Sequence, residues 1–285
     1  TIVLDTTPFY GEGGGQVGDT GTLSSAAGSA DVTDTKKTNG VYLHLCRVSG
    51  GALHVGDTVH AAVDAARRAA IARNHSCCHL LQAALREVLG THVEQAGSYV
   101  DDRYFRFDFT HFAAMTPEEL SRTEAIVNRH ILAGEAGSMT EMPLEEARKL
   151  GAMALFGEKY GKTVRVVRMG DFSIEFCGGT HVDNTAKLGL FKILSESSVA
   201  AGVRRVEGTT GYGVLSLLAD KDTLLSETAR ALKCTTAEMP RRATALESEL
   251  KDVRRELESA EARLSSVKLA GLLASARQVG PYRLL

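Results

Sequence analysis

An α+β fold is predicted by three features of this 285-residue sequence. Short apolar runs separated by turn residues fill the first stretch, a long segment of helical periodicity follows, and strand-like runs then return before the chain becomes helical again.

In residues 1 to 64 the runs TIVL, VYLHLCRV and TVHAAV alternate with Gly, Asp, Asn and Ser, the pattern of a small antiparallel β unit, expected to be barrel-like. From Ala65 to Leu89 the spacing changes to that of a helix, stopped by Gly90. The segment SYVDDRYFRFDF reads as a hairpin with an Asp-Asp turn. Thr116-Pro117-Glu118-Glu119 opens a further helix: Thr116 caps it, Pro117 suits its first position and Glu119 completes a capping box. A short helix, Leu144 to Leu150, ends at Gly151. Three strand-like runs, TVRVVRM, FKILSES and VRRVEGT, complete a unit of residues 65 to 212, expected as one antiparallel sheet backed by helices.

From Gly213 to residue 275 the chain reads as helical. Leu246, Leu250, Val253, Leu257, Ala260, Leu264 and Val267 form a heptad seam flanked by Glu and Arg. An earlier helix, about Leu215 to Leu232, is separated from it by CTTAEMP. The pair is compatible with an antiparallel helical hairpin, a coiled coil or a homodimer through these helices. Residues 276 to 285, ending GPYRLL, look like the start of another strand, and the sequence begins with Thr. An excised fragment is the expectation.

With 44% hydrophobic and 24% charged residues, the composition is that of a soluble globular protein with room for several structural units. No run approaches the roughly 18 to 20 apolar residues of a membrane span, and no signal-peptide layout opens the chain. Five cysteines without framework spacing suit a reducing compartment, so a cytoplasmic protein with no membrane partner is expected.

Two pairs of metal-capable side chains stand out. His75 and His79 lie four apart in RNHSCCHLL, one above the other on a helix, so both imidazoles can face a common ion. In EFCGGTHV the two glycines after Cys177 let the backbone turn sharply, bringing the thiolate and His181 to one point. Alone, the histidine pair reads equally as decoration of an amphipathic helix. Joined by Cys177 and His181 it supplies a zinc ligand set, and the wide separation of the halves excludes a zinc finger. Cys77 and Cys78 sit inside the first motif but off the ligating face, and read as small helix residues.

A net charge of −2 does not mark a nucleic-acid binder, so any such role rests on local patches. The candidates are Arg67, Arg68 and Arg73 beside the histidine motif, Lys159, Lys162, Arg165 and Arg168 ahead of the cysteine motif, and Arg204 with Arg205 after it. Each reads equally as a solvated face.

In this order, TTPFYGEGGGQVGDTG, RNHSCCHLLQAALREVLG, RFDFTHF and CGGTHV resemble the editing region of alanyl-tRNA synthetases and of their free-standing trans-editing relatives. The similarity covers most of residues 1 to 212, and the helices beyond resemble those leading to that family's C-terminal domain. It implies hydrolysis of tRNA specific for alanine but charged with serine or glycine. An alanine pocket cannot sterically exclude glycine and rejects serine only weakly, so a second site must check. Thr7 matches the family's threonine before the Phe-Tyr pair and is the expected recogniser of the seryl hydroxyl. Gly13, Gly14 and Gly15 would let the backbone approach the ester or terminal adenosine, with the Gln16 amide beside them and Arg204 and Arg205 toward the tRNA; a ligand-free tight turn is the plainer alternative for the glycines. Glu175 and Asp108 are spare carboxylates suited to orient a ligating histidine, with ordinary placement on a strand surface the plainer reading of each. A threonyl-type editing domain and a non-catalytic, zinc-stapled tRNA-binding or dimerisation module remain alternatives. No P-loop signature appears, and charging of tRNA is not expected of this segment.

Overall fold

The computed structural model describes residues 1–151 and 161–284. The chain divides into two compact units, Thr1–Leu217 and Leu218–Leu285.

The first unit opens with β1 (Gly21–Ser24), β2 (Gly28–Thr38), β3 (Val41–Gly51) and β4 (His60–Val63). All pairings are antiparallel and the order is β3-β2-β1-β4. The expected barrel does not close. β3 and β4 stand at opposite edges, and β1 and β4, four residues each, are too short to wrap the sheet round. Asn39 and Gly40, with φ of 51° and 82°, make the turn that joins β2 to β3, where a left-handed pair matches the strand twist. Phe9, Leu23 and Val32 form a small core against this sheet.

Helix α1 (Ala65–Leu89) leaves β4 through Asp64, whose carboxylate accepts from the Arg67 backbone N–H, and ends where the Gly90 N–H bonds the Arg86 carbonyl. Both ends fall where the sequence places them. Next come β5 (Gln95–Val100) and β6 (Phe105–Thr110), a hairpin whose turn is organised by Asp101 Oδ1 accepting from Arg103 N and Tyr104 N. Along β6, Phe105, Phe107 and Phe109 point inward and are fully buried, the alternation a half-covered strand requires. Helix α2 (Pro117–Ala133) carries both halves of its Thr116/Glu119 capping box and stops at Gly134 in the left-handed conformation.

The remaining strands divide differently from the single sheet expected. β7 (Gly137–Pro143) leads into α3 (Leu144–Lys149); β8 (Thr163–Met169) and β9 (Ser173–Phe176) follow, and these three strands form their own sheet, ordered β7-β8-β9. β10 (Phe191–Ala200) and β11 (Val203–Thr210) instead join the earlier hairpin in the order β10-β11-β6-β5. The TVRVVRM run therefore belongs to a different sheet from the other two, because β7 supplies it with a nearer partner through the full register from Gly137↔Met169 to Pro143↔Thr163. The main core packs Ile71, Leu80, Leu81 and Leu85 of α1 and Ile126, Val127 and Ile131 of α2 with the phenylalanines of β6 and Val206 of β11. Each such side chain contributes about 1.5–3 kcal/mol by leaving water.

Helix α4 (Tyr212–Leu232) begins in the first unit and runs on into the second. In the second unit a capping box of Thr235 and Glu238 precedes α5 (Met239–Ser275), and β12 (Arg277–Val279) pairs with β13 (Tyr282–Leu284). The seam residues Leu250, Val253, Leu257, Leu264 and Val267 of α5 are all exposed, and among the described residues nothing covers them. No helix of the described residues is long and apolar enough to cross a membrane.

Candidate metal centre

His75, His79, Cys177 and His181 converge. Each offers one ligand atom, and the four atoms lie within 4.8 Å of one another. The two halves, 102 residues apart, meet because the buried face of α1 presents its histidines to the turn that follows β9. Cys177 Sγ stands 3.4 Å from His75 Nε2 and 3.2 Å from His181 Nε2. A tetrahedral zinc ion holds nitrogen and sulfur ligands roughly 3.3–3.6 Å apart, so these separations fit the ion. His79 Nε2 is buried without a hydrogen-bond partner among the described residues, a position that a metal would complete on displacing its proton.

The outer nitrogen of each histidine is engaged by a different element. Gln16 Oε1 lies 2.7 Å from His75 Nδ1, and it also accepts from the Thr180 backbone N–H at 2.9 Å. Since that N–H can only donate, the amide orientation is settled: His75 Nδ1 donates to Gln16, leaving Nε2 for the ion. His79 Nδ1 donates to Glu175 Oε2 at 2.5 Å, with Ser173 Oγ donating to the other carboxylate oxygen. His181 Nδ1 lies 3.2 Å from Ser76 Oγ, which also accepts from Val182 N. Three Nε2 atoms thus face inward, each ring held by an amide, a carboxylate or a hydroxyl.

The electrostatics follow from this packing. Burial pushes the Cys177 thiol up, but His75, His181 and His79 overcome it and hold the group far below its usual value, as a thiolate. Burial also opposes a charge on His79, yet the Glu175 carboxylate and then Cys177 raise it to about 10. His181 is lowered to about 3 by its own burial and by His75. Cys77 and Cys78 are buried and pushed up by burial, inert thiols inside the helix as expected.

A cavity of about 470 Å³ opens beside the cluster, with His75, His79 and Cys177 in its wall. The Gly13–Gly14 turn, Tyr10, Tyr42 and Arg165 line the rest. Tyr10 Oη donates to the Gly13 carbonyl at 2.8 Å, bracing the glycine turn. Gly15, at φ +80°, is confined against Ser98: an added Cβ would fall 2.2 Å from Ser98 Oγ. Arg165 donates from Nη1 to the carbonyls of Cys177 and Gly179, so a β8 side chain holds the ligand turn in place.

Thr7 lies apart from this cavity. Its hydroxyl donates to His44 Nε2 at 2.8 Å, an assignment fixed by His44 Nδ1 donating to the Ile2 carbonyl, and it accepts from Phe9 N. It lines a neighbouring cavity that shares only Tyr42 with the first. Arg204 and Arg205 are also elsewhere, in bidentate pairs with Glu196 and Asp108 across the β10-β11-β6 sheet. Asp108 consequently orients an arginine and no histidine, whereas Glu175 orients His79. Ser76 and Thr180 were not singled out in the sequence, although both sit inside the ligand motifs. Lys159 lies outside the described residues.

Residues 164–207, from β8 to β11 and including Cys177 and His181, match the family described as "Threonyl and Alanyl tRNA synthetase second additional domain". Residues 1–67 match the family described as "tRNA synthetases class II (A)". The chain is 50% identical over 285 residues, its whole length, to an alanine–tRNA ligase of Pelotomaculum thermopropionicum, and 47% identical over 285 residues to that of Bacillus subtilis. It is 52% identical over 266 residues, 93% of the chain, to that of Bordetella parapertussis. It spans about a third of the length of these curated relatives, 32%, 32% and 30% respectively.

Proposed function

The chain is related along its whole length to alanine–tRNA ligases, and from that kinship and the four-ligand cluster beside a cavity we propose that residues 1–217 hydrolyse tRNA specific for alanine that carries serine or glycine. Water adds to the ester carbonyl and the ribose oxygen of the terminal adenosine leaves, giving free amino acid and tRNA. The observation that carries the proposal is the convergence of His75, His79, Cys177 and His181, the first three of them in the wall of a cavity large enough for an aminoacylated nucleoside.

When bound, zinc supplies a Lewis acid beside the ester. The chain's residues do the remaining work. Gln16, Glu175 and Ser76 keep the three imidazoles in one tautomer and one orientation. Arg165 fixes the carbonyls of Cys177 and Gly179, and the side-chain-free Gly13–Gly14 turn admits the acyl group. Serine is distinguished from alanine by a hydroxyl that an otherwise unpaired polar group receives. Thr7, in the neighbouring cavity that meets this one at Tyr42, serves in that role by exchanging its bond to His44 for one to the seryl hydroxyl. Such a substrate places the activity in the cytoplasm, and the uncovered seam of α5 supports pairing of two copies.

A deacylation time course tests this. The chain should release serine from Ser-tRNA specific for alanine and leave Ala-tRNA largely intact, and Cys177→Ala should lose metal and activity together. Full hydrolysis by metal-free Cys177→Ala protein overturns the zinc mechanism. No hydrolysis by a folded, metal-loaded chain leaves a non-catalytic tRNA-binding module in its place.

A further inference from the structure

Most of the basic side chains that bracket the metal ligands in sequence are already neutralised. Arg67 pairs with Asp102, Arg68 with Asp19, Arg168 with Asp171, Arg204 with Glu196 and Arg205 with Asp108. Arg165 is spent on two backbone carbonyls. Exposed Lys162 and Arg73 have neither an ion pair nor a side-chain hydrogen bond among the described residues, and of the two only Arg73 is half-buried, on α1. Its guanidinium carries five N–H donors open to an acceptor that a ligand supplies.

Its surroundings specify which. The guanidinium carbon lies 5.7 Å from the centroid of the Tyr212 ring, a cation–π contact that occupies one face of a ring left 77% exposed. Gly211, at φ +53°, makes room for this contact, since a Cβ there would fall 3.1 Å from Arg73 Nε. Arg73 also stands between two cavities. One, of about 400 Å³, is lined by Leu188, Leu190, Tyr212 and Leu215; the other, of about 420 Å³, by Thr180 and His181 of the metal turn. A free cation, an open aromatic face and an apolar recess in one place match a nucleotide: the phosphate to the guanidinium, the base to the ring.

We propose that Arg73 and Tyr212 form a docking point for a single-stranded stretch of RNA, Arg73 taking a backbone phosphate and the free face of Tyr212 stacking an unpaired base. The proposal rests on the reading of the substrate as an aminoacyl-tRNA and adds a contact outside the catalytic cavity, which neither residue lines. It also accounts for RNA binding by a chain of net charge −2, in which only locally unpaired cations can meet phosphate.

The test is binding of uncharged tRNA specific for alanine to the full 285-residue chain, followed by fluorescence anisotropy across a salt series. Arg73→Gln should weaken binding several-fold and reduce the slope of log affinity against log salt by about one, while Arg73→Lys keeps the slope. Tyr212→Ala should weaken binding by about fivefold or more and Tyr212→Phe should not. Zinc content, and hydrolysis of seryl-adenosine ester that lacks the RNA strand, should match the unsubstituted chain in every variant. Wild-type affinity and salt slope in both Arg73→Gln and Tyr212→Ala overturn the proposal, as does weakened binding that comes only with loss of metal. Because the tRNA is uncharged, Arg73-dependent binding by a chain that hydrolyses nothing refutes the editing function and leaves this docking point standing.

Discussion

Gln16 Oε1 lies 2.7 Å from His75 Nδ1, and through this bond the glycine-rich loop at the start of the chain controls a histidine on α1. The same oxygen accepts from Thr180 N and Thr180 Oγ1, so one amide ties the loop, the helix and the Cys-Gly-Gly-Thr-His turn together. The loop thus serves the cluster from behind as well as lining the cavity in front of it.

Replacing Gln16 by Ala should therefore weaken zinc binding by roughly 10–100-fold, the usual cost of removing a group that orients a metal-ligating imidazole. Competition with a chromogenic chelator measures this directly. An affinity unchanged within twofold would mean that His75 is oriented without the amide.

Metal uptake should depend on pH through His79. Its pKa near 10 means that the imidazole holds a proton at every pH below that value, and the ion must displace it. Cys177 is already a thiolate, and His181, at about 3, is already neutral, so neither gives up a proton near neutrality. The sign is that affinity rises with pH, by about tenfold per unit for one proton, and levels off near 10. Calorimetry in buffers of different ionisation heat should count about one proton released per ion at pH 7. Glu175→Gln removes the main group that holds that proton, and the count should fall below one.

How much of this was legible in the sequence depends on how local the causes are. The ends of α1, the Thr116/Glu119 capping box and the turn at Asp101 are set by residues within four positions of one another, and the sequence states them. Cys177 and His181 were legible for the same reason, and their union with His75 and His79 followed from ligand chemistry. The failures concern long-range pairing. β7, GSMTEMP, lacks the β-branched and aromatic run that marks a strand and exists because β8 lies beside it. Arg205 looked available for phosphate because Asp108, which neutralises it, is 97 residues away. Closure of the first sheet into a barrel was a question of strand number and reach, which periodicity does not encode.

Within RFDFTHF, two phenylalanines should behave oppositely. Phe107 is fully buried between α1, α2 and the sheet, and Phe107→Ala should cost about 3–5 kcal/mol. Phe112 is 83% exposed, and Phe112→Ala should stay within about 0.5 kcal/mol. Urea midpoints at constant slope check both, and equal losses would contradict the burial of Phe107 in the main core.

The two glycines of the ligand turn are likewise unequal, although the sequence presents them as a pair. A Cβ on Gly178 meets nothing within 4 Å, whereas one on Gly179 would fall 2.1 Å from His75 Cε1 and 2.9 Å from Gln16 Oε1. The His75 ring cannot yield without breaking its bond to Gln16 and withdrawing Nε2 from Cys177. Gly178→Ala should retain zinc at the level of the unsubstituted chain, and Gly179→Ala should lose most of it while the phenylalanine core, which lies in other elements, stays folded by circular dichroism. Equal metal content in the two variants would mean that the turn can move away from α1, and with it the close packing that brings the sulfur to the imidazoles.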